Sequence, residues 1–309
     1  MYMYLPIALT SVNYLVVMGL GLAVGLLSGL FGVGGGFLMT PLLMMVGIPP
    51  TIAAATDANQ IVAASASGTI SHWRLGNVDF KMGLYLLIGG FAGGAGGVQV
   101  IKLLRATGGA DFLIKMTYVV MLGGVGSFMF VESLNAMRKT KKASATSAPA
   151  AAPKEKKGGF FAALPMQTYF EKSGVTHSAL VPLFLGTFVG VLAAIMGVGG
   201  GFLMVPVMIY MLRMPMHVVV GTSLFQILFT CIEVTYLQAY SNHTVDFILA
   251  IILLVGSVFG AQIGTVLGRK LHGDQLKILL SIIVLAVTVK IVLELVMEPS
   301  ILLSYAGGH

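Results

Sequence analysis

No Asp, Glu, Lys, Arg or His occurs between Met1 and Thr56. A chain of 56 residues without a charge cannot make a water-exposed surface, because soluble domains carry roughly 25% charged residues. The remainder is little different: of 309 residues, 9% are charged and 57% hydrophobic, and the mean hydropathy is +0.95. A helix needs about 20 apolar residues to cross a bilayer, and the runs here have that length. The alternating segments of about ten residues that mark outer-membrane barrels do not appear. These features imply an all-α polytopic membrane protein and exclude a soluble two-domain enzyme. The net charge of +7 reads as basic loops facing the cytoplasm, not as a nucleic-acid surface. Cys231 is the only cysteine, so there is no internal disulfide and no CxxC metal or redox site; it reads as a small core residue. The N-terminus lacks the basic region of a signal peptide, and its first apolar segment is expected to stay in the membrane.

The chain is also duplicated. Gly25 to Pro41 (GLLSGLFGVGGGFLMTP) and Gly190 to Pro206 (GVLAAIMGVGGGFLMVP) agree at 11 of 17 positions, with GVGGGFLM identical. The correspondence continues through Pro49 and Pro215, Thr56 and Thr222, Gln60 and Gln226, then Val78-Asp79-Phe80 and Val245-Asp246-Phe247. It closes with Gly89, Gly93 and Gly97 against Gly256, Gly260 and Gly264. The expected organisation is a first transmembrane repeat over 1–134, a flexible cytoplasmic linker over 135–177 and a second repeat over 178–309. The linker has eight Lys or Arg among Ala, Pro and Ser, a composition that buries no core.

Each half predicts a first helix (Tyr14 to Phe31; Ala179 to Met196), a glycine break and a short apolar piece (Phe37 to Val46; Phe202 to Leu212). Three longer helices follow, over Thr51 to Trp73, Phe80 to Leu104 and Asp111 to Leu134, with counterparts at Met216 to Tyr240, Val245 to Leu267 and Gln275 to Val296. The short pieces reach about 16 Å at 1.5 Å per residue and cannot cross alone; they are half-helices. If each half crosses five times, fourteen Lys and Arg lie inside, and only Lys102, Arg105 and Lys115 lie outside, as the positive-inside bias requires. Both termini are then periplasmic and the linker cytoplasmic. An odd number of crossings makes the second copy an inverted repeat of the first, the architecture of many alternating-access carriers. The four-residue glycine spacing lets another helix approach closely, either within the chain, as a sliding surface, or as the seam of a homodimer.

Consecutive glycines interrupt a helix, and the restarting helix offers unsatisfied N–H groups and partial positive charge. Gly34, Gly35 and Gly36 in one half, with Gly199, Gly200 and Gly201 in the other, are therefore candidates for holding a small anion, or they merely permit a tight hairpin. No strand or Gly-Lys-Ser/Thr context supports a nucleotide loop. The following helix is polar where apolar residues are expected: Thr56, Asn59 and Gln60, and Thr222, Ser223 and Gln226. Hydroxyls and amides suit a weakly held oxyanion, or helix-to-helix hydrogen bonds. Asp57 and Glu233 are acids inside predicted spans, which makes them functional candidates for proton coupling. His72 and Arg74, at a cytoplasmic helix end, are candidates for a gate or anion-recruiting site, or an interfacial anchor with Trp73. Lys290 and Glu294 stand one turn apart and read as a salt bridge. No nucleophile–base pair or His-rich cluster recurs on one face, so a non-enzymatic protein without metal or cofactor is expected.

The duplicated G-x-GGG-F-x-x-x-P segments (Gly32 to Pro41; Gly197 to Pro206), the GTSLFQ run from Gly221 to Gln226, and His72-Trp73-Arg74-Leu75-Gly76 with Asp79 resemble the TauE/SafE sulfite exporter family. The resemblance implies a bacterial inner-membrane permease for small sulfur-containing oxyanions such as sulfite or organosulfonates. A passive anion channel, or a carrier for another small organic anion, is the alternative. Where the second half reads Thr222-Ser223-Leu224-Phe225-Gln226, the first reads Thr56-Asp57-Ala58-Asn59-Gln60. The added carboxylate would repel an anion unless protonated, which points to obligatory proton coupling or to a different substrate.

Overall fold

The computed structural model describes residues 2–31, 36–143, 167–268 and 273–297. Along the chain run a hairpin of β1 (Tyr2–Leu5) and β2 (Thr10–Asn13), then α1 (Tyr14–Phe31), α2 (Gly36–Met45), α3 (Pro50–Arg74), α4 (Phe80–Ala106) and α5 (Ala110–Ala143). The order then repeats: β3 (Gln167–Phe170), β4 (Val175–Ser178), α6 (Leu180–Met196), α7 (Gly201–Tyr210), α8 (Met216–Leu237), α9 (Phe247–Gly268) and α10 (Gly273–Met297). A π-helical turn, Gln238–Asn242, extends α8. Apart from the two antiparallel hairpins the described chain is helical.

Helix boundaries follow local chemistry. Pro49 and Pro215 precede α3 and α8, since proline has no N–H to lose at a helix start. Asp79 caps α4 by accepting from the Met82 N–H at 3.0 Å, and Asp246 accepts likewise from the Leu249 N–H at 3.1 Å at the head of α9. Four helical stretches among the described residues have the length and hydropathy to cross a bilayer: Phe80–Ala106, Ala110–Phe128, Met216–Asn242 and Phe247–Gly264. Their outer faces carry large apolar side chains such as Phe259 and Ile263. That surface is suited to lipid, and the chain is a multi-pass membrane protein.

The halves are interleaved. Helix α1 packs along α9, α6 along α4, and α3 lies beside α8. The glycine rows of the sequence are the seams of the first two pairs. A Cβ on Gly256 or Gly260 would run into the backbone of Met18 or Leu22 in α1, and one on Gly89 or Gly93 into Leu183 or Thr187 in α6. Close backbone approach is what small residues permit between membrane helices, so of the roles open to these rows, packing within the chain is the one the structure displays. Helix α5 continues to Ala143, and the β3–β4 hairpin ends at Ser178. Ordered elements thus occupy both ends of the stretch read as linker, and 144–166 lie outside the described residues.

Candidate functional site

The second glycine break is built from left-handed backbone. Gly197 (φ 72°) ends α6 and donates its N–H to Ala193 O at 2.8 Å; Gly199 (φ 68°) and Gly200 (φ 76°) lead into α7. Only glycine takes this conformation without a steric penalty. No side chain caps the N-terminus of α7; the Leu203 N–H reaches Gly200 O at 3.1 Å, which leaves the N–H groups of Gly201 and Phe202 as the ones open to a ligand. Gly201 is the first residue of α7 and is buried. In the first half, Gly34 and Gly35 lie outside the described residues, whereas Gly36 opens α2 and is buried.

The two short helices meet at their starts. Phe37 and Phe202, each the second residue of its short helix, stack with ring centroids 4.6 Å apart and planes 14° apart. A methyl on Gly36 would press on Ile61 of α3, and one on Gly199 on Ile61, Ile227 and Cys231. Ile61 follows Gln60 and Ile227 follows Gln226, so the short helices start at the middle of the α3–α8 pair, beside the polar residues singled out in the sequence.

Those polar residues divide into two groups. Thr56 and Thr222, both fully buried, make reciprocal bonds across the halves. The Asp246 N–H donates to Thr56 Oγ1 at 3.1 Å, and the Asp79 N–H donates to Thr222 Oγ1 at 3.0 Å. The hairpins join the same links. Ser173, in the β3–β4 turn, donates its N–H to Asp79 Oδ2 at 3.1 Å and its hydroxyl to the same oxygen. The Ile7 N–H, in the β1–β2 turn, donates to Asp246 Oδ2 at 3.2 Å. Asp79 and Asp246 were visible as a repeated Val-Asp-Phe, but the repeat alone does not say that each aspartate is held by a threonine of the opposite half.

Gln60 and Gln226 form the second group. Both are buried, and the Oε1 of each has no hydrogen-bond partner; Gln226 Nε2 donates to Thr230 Oγ1 at 3.0 Å. Turning that amide over lets Oε1 accept from the Thr230 hydroxyl and offers the two Nε2 protons to an anion instead. Asn59 is half-buried beside Gln60. Ser223 is buried and donates to Val220 O at 3.1 Å within its own helix.

The acids lie in separate surroundings. Asp57 is fully buried in α3; Thr40 of α2 donates its hydroxyl to Asp57 Oδ2 at 2.9 Å, and Oδ1 has no partner. Met196 O, at the end of α6, accepts from Tyr118 of α5 and lies 3.4 Å from Thr40 Oγ1. Glu233 of α8 is half-buried, and its Oε2 is unpartnered and faces Gly94 of α4. Thr40 and Tyr118 escaped notice in the sequence because they join Asp57 only when α2, α3, α5 and α6 come together. His72 is half-buried with Nδ1 unpartnered, and Arg74 is exposed at the end of α3; the structure does not bring this pair to the centre. Lys290 and Glu294 form an ion pair at 3.8 Å. Cys231 is buried and free.

Comparison with known proteins places these features in context. The family described as Sulfite exporter TauE/SafE matches residues 17–291. A probable membrane transporter protein of Bacillus subtilis, YunE, is 26% identical over 294 residues, covering 91% of this chain and 98% of its own. A second from the same organism, YjnA, is 28% identical over 276 residues, covering 88% and 97%. Sulfite exporter TauE/SafE family protein 3 of Arabidopsis thaliana is 32% identical over 113 residues, 34% of this chain and 24% of its own. No solved structure matches.

Proposed function

The chain belongs to the sulfite exporter TauE/SafE family, and from that premise we propose that it is a secondary carrier for small sulfur-containing oxyanions, sulfite or organosulfonates, across the inner membrane. Its halves act as inverted repeats with the termini periplasmic, and the anion sits where they meet. The observation that carries this reading is the meeting of α2 and α7 at the Phe37–Phe202 stack, next to the buried Gln60 and Gln226. The uncapped start of α7 and the start of α2 supply N–H groups and partial positive charge, and the glutamines supply directional amide donors without a fixed cation. Such a site holds an oxyanion and also releases it. The backbone of the glycine breaks, with Gln60, Gln226, Asn59 and Ser223, is the proposed site; Thr56 and Thr222 hold its two sides together. Asp57 and Glu233 are the acids through which movement of a cation, in the simplest case a proton, is tied to that of the anion.

Proteoliposomes test this. Labelled sulfite or organosulfonate should move uphill when an ion gradient is imposed, and the combined Gln60→Ala and Gln226→Ala variant should lose that movement while remaining folded. Unchanged flux in the variant removes the proposed site. Steady conductance without accumulation identifies a channel instead.

A further inference from the structure

Asp57 presents a physical problem that the anion site does not resolve. It is fully buried, and the single ion pair among the described residues is Lys290–Glu294, so no Lys, Arg or His neutralises it. A carboxylate shut away from water without a counter-charge is strongly disfavoured. Protonation is one remedy, but the new O–H would itself need an acceptor. The oxygen free to take the proton, Oδ1, has no partner of any kind. The nearby acceptor, Met196 O, already receives the Tyr118 hydroxyl and lies 3.4 Å from that of Thr40.

The surroundings are made instead of oxygen. Asp57 Oδ2, Thr40 Oγ1, Met196 O and Tyr118 Oη form one hydrogen-bonded chain, with the unpartnered Oδ1 beside it. Met196 is the last residue of α6, and its carbonyl stands at the negative end of that helix. Gly197 turns left-handed there and returns its N–H to Ala193, which leaves the Met196 carbonyl outside the helical ladder. Helix C-terminal carbonyls at a break in a membrane helix are natural cation ligands. The cluster has no counterpart on the other side of the duplication, because the positions matching Thr40 and Asp57 are Val205 and Ser223.

We propose that a sodium ion binds in this cluster, held by the Asp57 carboxylate, the Met196 carbonyl and the hydroxyls of Thr40 and Tyr118, which turn their lone pairs toward the ion. One carboxylate balances one positive charge, which fits a monovalent ion, while Mg2+ dehydrates reluctantly and demands an octahedron. The proposal rests on the carrier reading above and names the cation it uses. The two ions are then joined through a short loop: Met196 ends the helix that faces the cation, and Gly201 begins the helix that faces the anion. Sodium removes the negative charge that would repel the anion, so each ion raises the affinity for the other. By linkage the two enhancements are equal.

The test uses the full-length protein, purified and reconstituted, with radioactive sodium as the probe. Wild type should bind sodium saturably across pH 6 to 9, with potassium a poor competitor. Asp57→Ser and Thr40→Val, which install the residues of the other half, should each weaken binding at least tenfold while eluting as folded protein on gel filtration. Tyr118→Phe, which keeps the ring, gives a third variant with the same expected direction. Absence of saturable sodium binding in wild type overturns the proposal, as does undiminished binding in Asp57→Ser. Anion uptake, measured in parallel, separates the two claims. Proton-driven anion accumulation without sodium binding defeats the sodium site and leaves the carrier standing. Sodium binding with no movement of any sulfur oxyanion defeats the carrier reading and leaves the site.

Discussion

Replacing Thr222 with valine keeps the shape of the side chain and removes the one oxygen that receives the Asp79 N–H. Thr222 and Asp79 are 0% and 2% exposed, so water does not take its place. A buried donor left unsatisfied costs about 1–3 kcal/mol. For folded units of 150–250 residues each kcal/mol shifts the melting midpoint by roughly 2–4 °C, so Thr222→Val should melt several degrees below wild type. Thr56→Val should do the same by stranding the Asp246 N–H. The two links share no partner, and the loss in the double variant should equal the combined single losses to within about 0.5 kcal/mol. The assay is thermal melting of purified protein in detergent, beside the half-saturating anion concentration for uptake. The reciprocal bonds predict lower midpoints with little change in half-saturation. Wild-type midpoints with sharply weakened anion uptake would refute the structural role and make the two hydroxyls substrate ligands.

Other consequences concern the seams, the break and the anion. Gly186→Val places a side chain on the Leu86 backbone of α4 and should abolish accumulation of folded protein on a size-exclusion column; a normal monodisperse yield contradicts the α4–α6 packing. Gly199→Ala puts a methyl against Cys231 and Ile227 at φ 68°, and the left-handed conformation alone costs roughly 1–2 kcal/mol. Its melting midpoint should fall, and an unchanged midpoint argues against this conformation of the break. Sulfite and organosulfonates should raise the wild-type midpoint, whereas a screen in which only carboxylates do so ends the sulfur assignment.

Much of this architecture is legible in the residues because a membrane chain has few ways to arrange its polar groups. The helix Tyr14–Phe31 is bounded as the apolar run predicts, and the second break falls on Gly197, Gly199 and Gly200, the residue type that tolerates its left-handed geometry. Pairing is another matter. The glycine rows announce close packing but not the partner, and α1 packs chiefly along α9 of the other half. The hairpins are also hidden, since four-residue strands carry too little alternation to stand out beside a stretch rich in Lys and Ala. Gln60 and Gln226, one residue before the Ile61 and Ile227 that line the starts of the short helices, are buried. Thr56 and Thr222, one turn before them, serve cross-half bonds that depend on where Asp246 and Asp79 arrive in space. Asp57 is the clearest departure between the halves in sequence, yet its companions Thr40, Tyr118 and Met196 come from three other helices.

In the proposed carrier one site, formed where α2 and α7 meet, is presented alternately to the two sides of the membrane. Counterflow tests it most directly: proteoliposomes are filled with unlabelled sulfite or organosulfonate and diluted into a trace of the labelled anion. A carrier with one alternating site predicts transient accumulation of label above equilibrium, lost in the combined Gln60→Ala and Gln226→Ala variant. Label that rises only to equilibrium, with or without internal anion, would contradict a single alternating site.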